Sequence, residues 1–155
     1  MRNFTTAMTF PVGKRGEYEF SRRYPGATDV RDSQLHRWRG VDYIYQSVCV
    51  DCKTDTHRPE NFFLEFEVSG AAGALYKTRA DFWWYYFLNS SQAYFIAIPQ
   101  LLYWLEGCKE KRVATIQSSN KKTVWSARGY VVPVEGLVNA HIAFIDGKSP
   151  KTARD

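Results

Sequence analysis

Residues 41–53 read Val41-Asp42-Tyr43-Ile44-Tyr45-Gln46-Ser47-Val48-Cys49-Val50-Asp51-Cys52-Lys53, and the fold turns on how this stretch is read. Two β-rich segments flank Gln46-Ser47, a spacing that demands a tight hairpin. Side chains alternate along a strand, so Asp51 and Lys53 share a face with Cys49, while Val48, Val50 and Cys52 point the other way, into the core. Charged groups on an otherwise apolar strand are costly to bury unless they pair or bind a metal. A lone Asp-x-Lys is, in most proteins, a surface ion pair. Here a second carboxylate, Asp42, opens the preceding strand. Two carboxylates and an ammonium at the ends of a hairpin suit Mg²⁺-dependent phosphodiester hydrolysis: the acids grip a hard cation and the lysine steadies charge developing on phosphorus.

The flanking sequence predicts one mixed α/β domain over residues 1–145, with a flexible basic tail at 146–155. Residues 1–11 read as a loose or β-like arm. From Lys14 to Tyr24 the pattern is helical, with Phe20 and Tyr24 one turn apart and Pro25-Gly26 as the stop. Residues 26–40 read as a polar loop. Strands are expected at 41–46, 48–54 and 61–68, the last alternating Phe62, Leu64, Phe66 and Val68 with Phe63, Glu65 and Glu67. A helix over 74–81, strands at 82–88 and 93–98, and a helix from Pro99 to Lys111 follow. Residues 112–145 are less defined, apart from a strand at 130–134 leading into a short helix.

Composition narrows the class. The chain has 155 residues, 45% of them hydrophobic and 16% aromatic, which excludes a disordered chain and favours strands. The net charge of +5 is compatible with a polyanionic partner without requiring one. No apolar run approaches the ~20 residues of a membrane span and no leader-like stretch opens the sequence, so the expectation is a soluble, cytoplasmic protein without a membrane partner. Cys49-Val50-Asp51-Cys52 invites a zinc or redox reading. Residues three apart on a strand face opposite ways, and His36, His57 and His141 are scattered, so that reading fails. Three cysteines suit reduced thiols.

On Asp42, Asp51 and Lys53, with Cys52 in the free position, the chain resembles the PD-(D/E)XK nuclease superfamily, and in particular its small phage-encoded members. The resemblance covers about residues 14–106 and extends to the Gln34 to Asp42 approach, the 61–65 strand and Lys77-Thr78-Arg79-Ala80-Asp81. Val41 stands where the name-giving proline would be. The resemblance implies a restriction-endonuclease-like α-β-β-β-α-β core with an added hairpin strand and a C-terminal helix. It further implies that Glu17, Asp42, Asp51 and the Cys52 backbone carbonyl hold Mg²⁺ or Mn²⁺, with no organic cofactor, while Lys53 orients the attacking water. Glu17 is preferred over Glu19 because it lies on the core-facing side of its helix, Glu19 being expected on the outer face beside Arg23. The implied activity is DNA cleavage by an endonuclease, most specifically on branched DNA in the manner of a homodimeric Holliday junction resolvase, in a host cytoplasm if phage-encoded. Exonuclease, restriction and repair activities share the fold, and an inactive nucleic-acid-binding scaffold or a partner-binding module are the other classes.

Several residues are secondary candidates. Gln34 is assigned to the attacking water or a phosphate, and Glu65 to support of Lys53 or of the metal's ligands, with a polar loop residue and a solvated strand carboxylate as the respective alternatives. Lys14, Arg15, Lys77 and Arg79, expected near helix starts, form a candidate DNA track. Trp83, Trp84, Tyr85 and Tyr86 are read as core and dimer interface, with base stacking as the alternative.

Overall fold

The computed structural model describes residues 12–109, 111–119 and 124–148; the expected arm at 1–11 and the tail from 149 onward lie outside the described residues. Two sheets pack face to face. The first has the order β1 (Thr28–Asp29), β2 (Tyr43–Tyr45), β3 (Val48–Asp55), β6 (Phe82–Phe87), β7 (Gln92–Ala97) and β10 (Ala143–Ile145). The second has the order β5 (Ala71–Ala72), β4 (Asn61–Val68), β9 (Val124–Pro133) and β8 (Val113–Ser119). Helices α1 (Val12–Arg23), α2 (Gln34–Arg39), α3 (Ala74–Lys77), α4 (Ile98–Gly107) and α5 (Val134–Asn139) complete a mixed α/β fold. Among the described residues no helix is long and apolar enough to cross a membrane.

The hairpin forms where the sequence demands it. Gln46 and Ser47 both take positive φ, 49° and 65°, the pair of left-handed residues that a two-residue turn matching strand twist requires. Tyr43 then pairs with Val50 and Tyr45 with Val48. β3 outruns its partner: β2 begins opposite Val50, so residues 51–55 extend past it on that edge.

The strand at 61–68 does not join this hairpin in one sheet. β3 takes β6 as its other neighbour, in parallel, with Asp51 opposite Trp83 and Lys53 opposite Tyr85. β4 instead leads the second sheet and lies across the face of the first. Its apolar row explains the choice: Phe62 and Leu64 are fully buried against Trp83, Tyr85 and Phe87. Edge-on pairing with β3 would leave that row uncovered.

Both faces of the first sheet are therefore covered. One meets the second sheet, α4 and α5 through Tyr94, Ile96, Leu101 and Leu137. The other meets α1, where Phe20 and Tyr24 pack on Val50, Trp84 and Tyr86. A central strand buried on both sides is apolar throughout, which accounts for Phe82-Trp83-Trp84-Tyr85-Tyr86-Phe87. This corrects the dimer-interface expectation: Trp83, Trp84, Tyr85 and Tyr86 are all buried within the chain, between β3 and β7.

Other expectations shift locally. Residues 34–39 are helical, closed by Gly40 at φ 65°, whose amide donates to the His36 carbonyl while the Val41 amide donates to that of Leu35. α3 stops at Lys77 because the next residues bond elsewhere: the Arg79 amide donates to the Arg39 carbonyl and the Asp81 amide to the Cys49 carbonyl. Lys77 and Arg79 thus stand at and beyond a helix end, not at a helix start. β9 begins well before 130 because it pairs with both β4 and β8. At the other end Asp146 is buried, and its amide donates to Ala93, so the packed domain continues past 145.

α1 crosses β3 at Gly16. A Cβ there would stand 1.8 Å from Thr54 Oγ1 and 3.1 Å from Thr54 Cβ. Gly16→Ala is expected to lower stability by about 1–3 kcal/mol through overpacking, read as a lower urea midpoint at unchanged slope.

Candidate active site

The candidate residues meet where β3 outruns β2. Asp42 is held in line by its own backbone, its amide donating to Val50 at 2.9 Å and its carbonyl accepting from Val30 at 3.0 Å. Its side chain then takes the place of the missing strand, Oδ2 accepting the Cys52 amide at 2.8 Å. On a strand the amide and carbonyl of one residue face the same edge. The Cys52 carbonyl therefore faces that same edge, beside Asp42, while its thiol packs into the α1 core.

Asp51 projects on the opposite face. Its Oδ2 accepts the Trp83 indole N–H at 3.0 Å and its Oδ1 lies 3.1 Å from Lys53 Nζ. The ammonium also sits 5.4 Å from the centre of the Trp83 ring. Trp83 is thus both a donor to the acid and a wall for the ammonium, a role the parallel register assigns by placing it opposite Asp51.

Electrostatics follow from burial. Asp42 and Asp51 are 4% and 5% exposed. Burial raises the Asp42 carboxyl from 3.8 to about 6, the neighbouring Asp51 charge adds to this, and the Cys52 amide opposes it. For Lys53, burial acts downward, but the charge and hydrogen bond of Asp51 outweigh it and the net shift is upward. Lys53 is an ammonium at neutral pH. Burial pushes the Cys52 thiol well up, which removes it as a thiolate nucleophile.

Glu17 reaches the same basin from α1, but Arg31 holds it: Nη1 donates to Glu17 Oε2 at 2.9 Å, and Lys14 Nζ lies 3.8 Å from the same oxygen. Arg31 is itself fixed by Asp29 at 2.7 Å. Glu19 pairs with Arg23 at 3.2 Å, and since Arg23 is buried this side of α1 is not an outer face. Glu65 Oε1 accepts the Ala74 amide at 3.4 Å, and its charge helps raise Lys53. Lys77 and Arg79 line the basin, whereas Arg15 is half-buried outside it. Gln34 is exposed at the first position of α2, likewise outside the basin.

His36 was not anticipated from sequence. Its Nδ1 lies 3.0 Å from Asp42 Oδ1, so Asp42 is held by an imidazole on one oxygen and an amide on the other. The usable signal is Gly40: a glycine two residues before the acid ends a short helix, and one turn back from it stands His36.

The donor set fits a hard divalent cation in kind. Asp42, Asp51 and the Cys52 carbonyl supply oxygen only, and each carboxylate oxygen keeps a lone pair beyond its present bond. Among the described residues no three His, Cys, Asp or Glu side chains are gathered as a ready chelating group. The fit thus rests on two carboxylates and a carbonyl, with Glu17 joining only on release from Arg31. The basin they line measures about 820 Å³ and includes His36, Trp38, Tyr76, Lys77 and Arg79.

Comparison with protein-family models, curated proteins and solved structures found no match, so the reading of this basin rests on its own geometry.

Proposed function

We propose that this chain is a metal-dependent endonuclease that hydrolyses phosphodiester bonds in DNA. One observation carries the reading: two buried carboxylates and a raised lysine converge on the open edge of β3, close enough that one acid raises the other. Such a cluster is costly for folding and suits a site that accepts a divalent cation.

Asp42, Asp51 and the Cys52 carbonyl would hold Mg²⁺ or Mn²⁺, which when bound activates water and stabilises charge on the phosphate. The protein's own groups divide the remaining work. Lys53, protonated and pinned by Asp51, donates to a phosphate oxygen or to the attacking water and cannot serve as the base. Hydrolysis adds hydroxide to phosphorus, breaks one phosphorus–oxygen bond and returns a proton to the leaving oxygen.

The test is purified protein with Mg²⁺ or Mn²⁺ against four-way junction, flap, duplex and single-stranded DNA. Strand cleavage that EDTA stops is expected. Symmetric paired nicks in the junction are the form a dimeric resolvase would give. No cleavage of any DNA with either metal would overturn the proposal.

The raised Asp42 carboxyl has a consequence for stability without metal. Between pH ~4 and ~6 the folded protein keeps a proton the unfolded chain has lost, so stability falls as pH rises through that window and levels off above it. The expected loss is up to about 3 kcal/mol. Thermal midpoints of wild type and Asp42→Asn, taken in EDTA from pH 4 to 7, should diverge in that sense, with the wild type declining.

A further inference from the structure

We infer, resting on the nuclease reading above, that the substrate lies across Lys53 as an unpaired DNA strand, its bases stacking on Trp38 on one side and Trp125 on the other. Two basins meet at this lysine. The first, described above, opens toward α2 and α3. The second, about 670 Å³, opens toward β8 and β9. Lys53 and Ala74 line both, so the two form one path past the candidate acids.

Each basin carries an indole at its wall. Trp38 is 74% exposed on α2 and Trp125 is 42% exposed on β9. The other three tryptophans do not behave this way: Trp83 and Trp84 are buried, and Trp104 packs against the core. Exposure alone does not mark a ring as a contact surface, but an indole set in the wall of a basin that runs past charged groups is placed to offer its face to a bound molecule.

Charge in the first basin identifies the occupant; in the second, where Asp55 and Glu65 stand beside Lys53, the indole carries the contact. Arg37, Lys77 and Arg79 line the first basin, and among the described residues none is in an ion pair. Arg23, Arg31 and Arg128, by contrast, are tied to carboxylates. Among the described residues Arg79 Nη1 donates only to the Tyr76 and Thr78 carbonyls, so all three cations keep charge that no carboxylate there neutralises. Such cations beside an exposed aromatic ring are the pairing that binds single-stranded nucleic acid, with phosphates on the cations and bases on the ring. In a continuous duplex the base faces stack on one another, so a wall-mounted indole has nothing to stack on. An unpaired arm or a displaced strand offers every base.

The test separates binding from chemistry. Full-length protein in EDTA is titrated with a short labelled oligothymidylate and with a blunt duplex, following anisotropy and tryptophan quenching. Tighter binding of the oligothymidylate is expected, with about 5- to 100-fold weakening in Trp38→Ala and in Trp125→Ala. Trp38→Phe should recover most of the loss. Equal binding by wild type and both alanine variants, or a preference for duplex, would overturn the inference. Because no metal is present, this result stands whether or not cleavage is found. If Mg²⁺ then yields no cleavage while stacking holds, it is the nuclease reading that fails. If duplex is cut faster than single strands and Trp38→Ala cuts as wild type, the strand path fails and the nuclease reading stands.

Discussion

Asp51→Asn is expected to lower Mg²⁺-dependent DNA cleavage by about 10³-fold or more, with a thermal midpoint within a few degrees of wild type. Asparagine preserves the shape and leaves an acceptor for the Trp83 indole, now 3.0 Å from Asp51 Oδ2, while removing the charge. The alanine variant is a poorer probe. It leaves the Trp83 N–H without its buried acceptor and the Lys53 ammonium without its 3.1 Å partner, so about 1–3 kcal/mol of stability would go with the activity. Lys53→Ala should match Asp51→Asn in rate, since the ammonium and the acid act as one unit. Rates are compared in single-turnover assays at saturating Mg²⁺. Wild-type rates in Asp51→Asn would remove the acid from the reaction.

Asp146→Ala carries the largest expected effect on stability, about 3 kcal/mol, or a thermal midpoint lower by about 6–12 °C. The residue lies at the start of what composition reads as a frayed tail. In the fold its Oδ2 accepts the Trp84 indole N–H at 2.9 Å and lies 3.7 Å from Arg23 Nη1. Arg23 is 4% exposed, spans the Trp84 and Tyr86 rings, and donates to the Ser91 carbonyl at 2.9 Å. Removing Asp146 leaves that guanidinium with Glu19 as its one carboxylate among the described residues, beside the Ser91 carbonyl. The Tyr24 hydroxyl, raised by burial and then by the Asp146 charge, would shift down in the variant. Asp146→Asn keeps the indole acceptor and should lose less. A midpoint within about 2 °C of wild type in the alanine variant would show that residues 146–148 do not hold α1 to the sheet.

What was legible in the sequence is what depends on local geometry. Strand parity alone puts Asp51 and Lys53 on one face and Cys52 on the other, and the two-residue spacing forces the turn at Gln46-Ser47. The helical period of α1 likewise puts Glu17 at the basin. What was illegible depends on which strands become neighbours. The apolar row of β4 reads the same whether it pairs beside β3 or packs across it, and only the competition for β3's edge, won by β6, decides. Trp83 acquires its role from that register. Asp55 is a similar case: it receives the His57 amide and imidazole at 2.7 Å and the Tyr85 hydroxyl, which in turn accepts the Phe63 amide at 3.0 Å. That chain of bonds ties the two sheets together behind Lys53, and no spacing in the sequence announces it. His36 lies between these extremes, since Gly40 marks the end of its helix, yet a six-residue helix has too few turns to show a period.

Binding of Mn²⁺ tests the central claim most directly, because it asks whether the paired acids form a cation site at all. Paramagnetic resonance of Mn²⁺ titrated with wild type, Asp42→Asn and Asp51→Asn at pH 7.5 gives the answer without any choice of DNA. Wild type is expected to take up the ion, and each asparagine variant to lose that uptake by about tenfold or more. Equal uptake by all three proteins, or none by wild type, would contradict the account.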